Sequence, residues 1–188
     1  MLNKPFRILV LLFGLLGALL PLTISAAPAL NPENTLYLDL PSGQVVIQML
    51  PNAAPRHVAR IKELTRKGFY DGLAFHRVIP GFMAQTGDPQ GDGSGGSGQQ
   101  LKAEFSLEQH LRGTVSMARA SDPNSADSQF FICFAPAPFL DGKYTVWGKV
   151  ISGMEFVDKI NAGTQYKNGA VSNPTRIVRM KVASDMKR

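Results

Sequence analysis

One segment near the middle of the chain brings together a guanidinium, a side-chain amide, a thioether and aromatic rings. It reads Phe75-His76-Arg77-Val78-Ile79-Pro80-Gly81-Phe82-Met83-Ala84-Gln85. Strand alternation predicts that Arg77 shares one face with Phe75 and Ile79. His76 then points to the opposite face, where it is expected to be a hydrogen-bonded structural residue. An arginine on an apolar face is costly unless it borders a groove or finds partners.

A predicted turn follows this arginine. Pro80-Gly81 indicates a reversal of the chain, so that Phe82, Met83 and Gln85 return beside Arg77. The pattern alone leaves two interpretations open. The patch is either a binding surface, or Arg77 caps the end of a barrel while Phe82 and Met83 lie in the core.

A glycine-rich stretch, Gly87 to Gly98, satisfies the pattern G-x-G-x-x-G at Gly91, Gly93 and Gly96. A dinucleotide-binding fingerprint needs a strand before it and a helix that opens on its last glycine. The next residues, Ser97-Gly98-Gln99-Gln100, give no helical start. The stretch is therefore interpreted as a surface loop, and a nucleotide-dependent enzyme is an alternative that a nucleotide titration would test.

The other candidate ligands are scattered along the chain. The three histidines do not form a metal-binding pattern, so no metal and no cofactor are expected. His57 is predicted to lie at the surface. His110 is predicted to lie in a connecting segment without a hydrogen-bond or ligand partner. The single cysteine, Cys133, is interpreted as a buried small hydrophobe. Three aspartates are interpreted as turn residues: Asp122, Asp127 and Asp141.

Short strand signals separated by Gly, Pro and Asp fill most of the chain. The predicted strands cover residues 35–40, 45–50, 75–79, 82–86, 114–118, 129–134, 146–150 and 176–182. Val58, Ile61 and Leu64 recur at helical spacing, and a second helix is predicted from about residue 153 to 160. Many short strands with two helices favour an all-β sandwich or barrel over a βαβ fold.

The N-terminal residues match a secretory signal peptide. A positive start at Lys4 and Arg7 precedes an apolar run and a tail of small residues. We therefore predict a leader over residues 1–29, cleaved near 27–29, before a single domain of residues 30–188. The alternative is an uncleaved membrane anchor.

Composition excludes some classes of function. The 188 residues carry 20 Lys and Arg against 14 Asp and Glu, a formal net charge of +6. The cations are spread along the chain and form no dense run with interleaved aromatics, so nucleic-acid binding is not expected. No heptad or large apolar stripe stands out, and a monomer is expected.

The segment at residues 75–85 resembles the signature of the cyclophilin family, which is highly specific. Further blocks resemble the family in order and spacing: Ser116-Met117-Ala118-Arg119-Ala120 with Ser128-Gln129-Phe130-Phe131-Ile132, and Phe139-Leu140-Asp141-Gly142-Lys143-Tyr144 with Val146-Trp147-Gly148-Lys149-Val150. The similarity runs from about Thr35 to Val182. It implies a closed eight-stranded antiparallel β-barrel capped by two α-helices, with a peptide groove outside.

The resemblance implies a peptidyl-prolyl cis/trans isomerase of the bacterial periplasmic kind. Its catalytic residues would be Arg77, Phe82 and Gln85, with Arg77 donating a hydrogen bond to the prolyl nitrogen. The implied substrate-binding residues are Met83, Ala118, Arg119, Ala120, Gln129, Phe131, Phe139, Leu140 and Tyr144. Its partners would be proline-containing polypeptides, namely unfolded or partly folded exported proteins. The alternative function is a non-catalytic proline-peptide-binding chaperone that uses the same groove.

Three positions depart from the pattern of many eukaryotic members. Phe139 stands where those proteins have Trp, Tyr144 where they have His, and Arg119 where they have Asn. These substitutions resemble bacterial cyclophilins, which favours the periplasm, with secretion as the alternative and no stable membrane association after leader removal. Weak cyclosporin binding is expected, because Phe lacks the indole N–H donor. Trp147 is predicted to lie in the core.

Overall fold

The structure, a computed structural model, describes residues 30–186. Its helices and strands are, in chain order, β1 (Thr35–Leu40), β2 (Gly43–Met49), α1 (Pro55–Arg66), β3 (Arg77–Ile79), β4 (Met83–Thr86), β5 (Thr114–Met117), β6 (Phe130–Cys133), β7 (Val146–Ser152), α2 (Met154–Val157) and β8 (Arg179–Val182). The predicted leader and its cleavage site lie outside the described residues. Within residues 30–186, no helix is both long and apolar enough to cross a membrane.

The eight strands form one antiparallel sheet in the order β3-β4-β6-β5-β7-β2-β1-β8. Alternate side chains on each strand face one core. Across β1 and β2, for example, Leu36 lies opposite Ile47 and Leu38 lies opposite Val45. Trp147 is fully buried in this core, as predicted. The predicted strand-dominated fold with two helices is confirmed.

A second, smaller apolar cluster lies apart from this core. Its buried members are Met83, Phe131, Cys133, Ala137 and Leu140. Burial raises the pKa of the Cys133 thiol to about 12, so the group stays protonated and behaves as the small hydrophobe that was predicted.

The predicted closed barrel is wrong, because the sheet is open. Strands β3 and β8 are its two edges, and no regular ladder joins them within the described residues. Isolated bridges join Ala74 and Arg77 to the segment that precedes β8, at Arg176 and Ala170 respectively. Pro174 lies in the intervening segment and has no N–H to donate to a ladder. Regular pairing of the last strand begins at Arg179 rather than at Arg176 as predicted.

Strand β3 starts two residues later than predicted, and this changes which side chains share a face with Arg77. Regular pairing begins at Arg77, so the predicted alternation cannot be extended back to Phe75. Phe75 is fully buried in the main core together with Val78. The predicted placement of Phe75 beside Arg77 is therefore wrong, whereas Ile79 packs against the second cluster on the same side as Arg77.

Helix α2 is a single turn, shorter than the predicted range of 153–160. Gly153 precedes it with a φ of 88°, in the left-handed region that favours glycine. A Cβ atom at this position would lie 2.5 Å from the carbonyl oxygen of Gln44. Glycine therefore lets β7 turn into α2 in close contact with β2.

Helix α1 buries the predicted apolar face of Val58, Ile61 and Leu64. Its N-terminus is capped by a carboxylate from a distant loop. Glu104 accepts hydrogen bonds from the backbone N–H groups of Arg56 at 3.1 Å and His57 at 3.0 Å, and its Oε2 lies 2.7 Å from His57 Nδ1. A carboxylate satisfies the free N–H groups at this end of a helix. His57 is fully buried, so its predicted surface position is wrong.

We expect Glu104→Gln to lower the free energy of unfolding by about 2 kcal/mol at pH 7. Burial acts to raise the pKa of Glu104, but hydrogen bonds from His57 and Arg56 outweigh it and lower the pKa to about 2. This contribution is fully present above the unfolded pKa of about 4.3 and is lost as the pH falls toward 2. Urea denaturation from pH 7 to pH 2 measures it.

Glu155→Gln is the matched control, because Glu155 is exposed in the first turn of α2. It should change the free energy of unfolding by less than about 0.5 kcal/mol. A loss in Glu104→Gln that is no larger than in this control, or that does not diminish toward pH 2, would contradict the capping role.

Candidate active site

Four neighbouring strands place polar and aromatic side chains in one row on the outer side of the sheet. Arg77 on β3 lies opposite Gln85 on β4, and Gln85 lies opposite Phe131 on β6. Ser116 on β5 continues the row opposite Phe131. Because successive side chains alternate, neighbours such as Ala84 face the main core. The strand register thus brings three predicted site residues together.

Three neutral oxygens hold the Arg77 guanidinium. Its Nε donates to the main-chain oxygen of Asn168 at 3.0 Å, Nη2 donates to Asn168 Oδ1 at 3.0 Å, and Nη1 donates to Gln85 Oε1 at 3.1 Å. Burial lowers the pKa of Arg77 from its ordinary value, yet an arginine keeps its proton in proteins. A guanidinium has five N–H groups, so these three bonds leave two for a ligand.

Asn168 is the functional residue that the sequence analysis missed. It lies 91 residues after Arg77 and adopts a φ of 51°, in the left-handed region. Asn tolerates this conformation better than most residues, and Gly169 follows with a φ of 82°. The N–H of Val78 donates to the Gly169 carbonyl at 2.7 Å, and this hydrogen bond holds the loop that contains Asn168 against β3. The Asn-Gly pair is a turn signal, but nothing local indicates that the turn meets Arg77.

A chain of amide hydrogen bonds links Gln85 to the glycine-rich loop. Gln85 Nε2 donates to Gln129 Oε1 at 2.8 Å, and Gln129 Nε2 donates to the carbonyls of Gly93 and Gly95 at 3.0 and 2.8 Å. The carboxylate of Asp88 accepts three backbone N–H groups of the same loop. The stretch is a loop, as predicted, and its folding around Asp88 lets it orient the site amides.

Apolar side chains form the floor and one wall of a groove beside Arg77. Met83, Phe131 and Leu140 are nearly fully buried. The rings of Phe82 and Phe139 lie 5.5 Å apart between centroids. The cavity has a volume of about 1050 Å³.

Another part of the groove lining carries a stacked cation. The ring of Tyr144 meets Phe131 nearly edge-on, with centroids 6.0 Å apart. The Arg119 guanidinium carbon lies 4.4 Å from the centroid of the Tyr144 ring, a cation–π contact. Arg119 is held there by donating to main-chain oxygens of Ala120, Ser121 and Lys143.

Ten of the twelve predicted site residues line this groove. They are Arg77, Phe82, Met83, Gln85, Ala118, Arg119, Phe131, Phe139, Leu140 and Tyr144. The other two, Ala120 and Gln129, line a neighbouring cavity of about 280 Å³ that shares Gln85, Ala118 and Arg119 with the groove. The arrangement can hold a small apolar ring while a fixed donor contacts an adjoining polar atom.

A buried chain of hydrogen bonds supports Phe131. His110 Nδ1 lies 2.9 Å from Asp141 Oδ1, His110 Nε2 lies 3.0 Å from Ser116 Oγ, and the His110 ring stacks on Phe131. His110 therefore has two partners, contrary to prediction, and Asp141 is more than a turn residue. The order Ser-His-Asp resembles a hydrolase triad, but Ser116 is fully buried and cannot reach a substrate as a nucleophile.

His76 differs from its prediction as well. It is buried at the edge of the groove, and neither ring nitrogen has a hydrogen-bond partner among residues 30–186. Burial lowers the pKa of His76, which keeps the ring neutral at pH 7. In the same residues, no group of three or more His, Cys, Asp or Glu is arranged to hold a metal ion.

The chain is similar in sequence to known proteins along most of its length. The model of the cyclophilin type peptidyl-prolyl cis-trans isomerase family matches residues 35–182. A probable peptidyl-prolyl cis-trans isomerase of Brucella suis is 53% identical over 176 residues, which covers 87% of this chain and 90% of the relative. Peptidyl-prolyl cis-trans isomerase B of Bacillus subtilis is 45% identical over 136 residues, which covers 71% and 94%.

Solved structures are similar along most of the chain. A cyclophilin from Hirschia baltica matches with a TM-score of 0.75 and 28% identity, over 84% of this chain and 77% of that chain. A cyclophilin type isomerase of Cryptosporidium parvum, crystallised in the presence of the dipeptide Ala-Pro, matches with a TM-score of 0.71 and 27% identity, over 79% and 98%. The signature, the groove and these similarities agree, and the chain belongs to the cyclophilin type peptidyl-prolyl cis-trans isomerase family.

Proposed function

We propose that the groove catalyses rotation about X–Pro bonds of polypeptides, with Arg77 as the donor that promotes it. The observation that carries this proposal is a fixed guanidinium beside an apolar recess. Three neutral acceptors orient Arg77, and Met83, Phe131 and Leu140 line the recess. A proline ring in the recess brings its amide nitrogen close to the guanidinium.

The chemistry follows from amide resonance. Rotation about an X–Pro bond has a barrier of about 18–20 kcal/mol, and the uncatalysed exchange takes tens to hundreds of seconds. A hydrogen bond to the prolyl nitrogen localises its lone pair and weakens the double-bond character of the C–N bond. The hydrogen bond strengthens as the nitrogen becomes pyramidal, so it stabilises the transition state more than the ground state. Rotation requires no nucleophile and no proton transfer.

The walls of the groove contact the substrate chain around the proline. Gln85 uses one amide N–H on Gln129, which leaves its second N–H for the substrate backbone. Phe82 and Phe139 enclose the ring from one side. Backbone groups near Ala118 and Arg119 hold the residues before the proline, while the part of the chain on the other side of the X–Pro bond rotates.

The proposed substrates are unfolded or partly folded exported proteins, and the proposed location is the periplasm, with secretion as the alternative. The leader-like sequence of residues 1–29 supports this assignment. The proposed active form is a monomer that acts without a cofactor, without nucleic acid and, once the leader is removed, without a stable membrane association.

We expect Arg77→Ala to lower kcat/KM by about 10²–10³, the usual loss for removing one transition-state donor. The measurement is cis/trans exchange of an Ala-Pro-Phe peptide with the purified wild-type protein and the variant side by side. Arg179→Ala is the matched control, because Arg179 pairs with Asp39 on the far edge of the sheet, and it should leave the exchange rate unchanged.

Two outcomes would change this conclusion. A folded wild-type protein that does not accelerate exchange would favour the non-catalytic chaperone. Full activity of Arg77→Ala would remove Arg77 from the mechanism.

Asn168→Gly should lower kcat by about five- to tenfold with little change in KM, because it removes an acceptor that orients a charged donor. Glycine preserves the left-handed backbone at this position, so the free energy of unfolding should stay close to that of the wild type. Steady-state exchange kinetics and urea denaturation measure the two quantities. An unchanged kcat, or a KM that rises in its place, would contradict the role of Asn168 as a positioning residue.

Cyclosporin should inhibit the enzyme only weakly. Phe139 is 61% exposed in the groove wall and offers no N–H donor. We expect Phe139→Trp, which restores an indole N–H, to tighten inhibition by about two- to tenfold. Inhibition constants from the exchange assay test this, and nanomolar inhibition of the wild-type protein would overturn the expectation.

A further inference from the structure

The groove is lined by cations. Arg77, Arg119, Lys143 and Lys167 all line it, against one carboxylate, Asp92, among its described lining residues. A cleft lined by charges of one sign concentrates the field and attracts ligand groups of the opposite sign. The site therefore carries a net positive charge close to where a polypeptide would lie.

Most cations outside the groove are paired with carboxylates in the part of the chain that the structure describes. Eight Lys and Arg residues outside the groove form ion pairs with carboxylates: Arg56, Arg60, Lys62, Arg66, Lys67, Arg112, Lys149 and Arg179. Within residues 30–186, none of the four groove cations takes part in such a pair. All four groove cations thus lack a carboxylate partner, whereas eight of the twelve cations outside the groove have one; the other four in this range are Lys102, Lys159, Arg176 and Lys181.

The partners of the groove cations are neutral. Arg119 donates to carbonyl oxygens and lies over the ring of Tyr144. Lys143 Nζ reaches the carbonyl of Phe139 at 3.3 Å, and the Lys143 side chain is otherwise exposed. Neutral partners fix the position of a cation without cancelling its charge. The Lys143 ammonium is therefore available to a ligand carboxylate, and Arg119 offers its charge and the one N–H group that its four hydrogen bonds leave.

Arg119 and Lys143 are neighbours on one wall. Arg119 Nη2 donates to the main-chain oxygen of Lys143 at 3.0 Å, so the two residues are adjacent in the groove wall. This is the wall proposed above to hold the residues before the proline. We infer, on the basis of the proposed function, that the enzyme prefers substrates with Glu or Asp in the position directly before the proline.

The size of the effect follows from exposure. Both Arg119 and Lys143 are in contact with water, and exposed ion pairs typically change an equilibrium by about 1.4- to fivefold. A Glu before the proline should therefore raise kcat/KM about two- to fivefold over Gln, and a Lys should lower it by a similar factor. High salt should remove both effects, because the Debye length falls to about 3 Å at 1 M.

The test uses three peptides, Ala-X-Pro-Phe with X as Glu, Gln or Lys, in the exchange assay at low salt and in 1 M NaCl. The Gln peptide measures the proposed function by itself. If the enzyme accelerates none of the peptides, the proposed function fails. If it accelerates all three equally at low salt, the function stands and the acidic preference is overturned.

Two variants distinguish the effect of the groove charge from the effect of the net charge of the molecule. Lys143→Gln should bring the Glu-to-Gln ratio of kcat/KM at least halfway toward one. Lys159→Gln is the matched control, because Lys159 stacks on Phe156 outside the groove and its loss changes the net charge by the same amount. The ratio in this variant should equal that of the wild type. An equal fall of the ratio in both variants would overturn the assignment to Arg119 and Lys143.

Discussion

The active groove depends on the register of three neighbouring strands. Arg77, Gln85 and Phe131 lie directly opposite one another on β3, β4 and β6, so a donor, an amide and an aromatic ring stand in one row. The side-chain period of a strand is two residues, and a slip of one residue would turn all three toward the core. The register is held because the alternate residues, such as Val78 and Ile132, are fully buried.

The opening of the sheet and the placement of Arg77 have a common cause. Strand β3 lies at the edge, so its free side meets an irregular loop instead of a regular strand. That loop carries Asn168 in a left-handed conformation and supplies two of the three acceptors of Arg77. A closed ladder would have placed strand backbone there. The same acceptors are neutral, and they orient the guanidinium while its full charge stays available to a ligand.

Charge and polarity are distributed differently in the supporting structure and in the groove. Away from the groove, polar groups satisfy one another over long distances in sequence, as Glu104 does for α1 and Asp141 does for His110. In the groove, the cations instead donate hydrogen bonds to carbonyl oxygens, and one lies over an aromatic ring. Buried hydrogen bonds thus make the scaffold rigid, whereas the groove keeps its unpaired charge toward solvent.

The sequence by itself determined the strands, the first helix and the residues of the groove. Alternation, turn residues and helical spacing are local properties, and the family resemblance supplied the site residues, four of the twelve within the eleven positions around Arg77. Only the tertiary structure decided that β3 starts after Phe75, that the sheet stays open, and that His57 and His110 are buried with distant carboxylate partners. It also decided that Asn168 meets Arg77. These features depend on contacts between residues far apart in the chain, which local patterns do not encode.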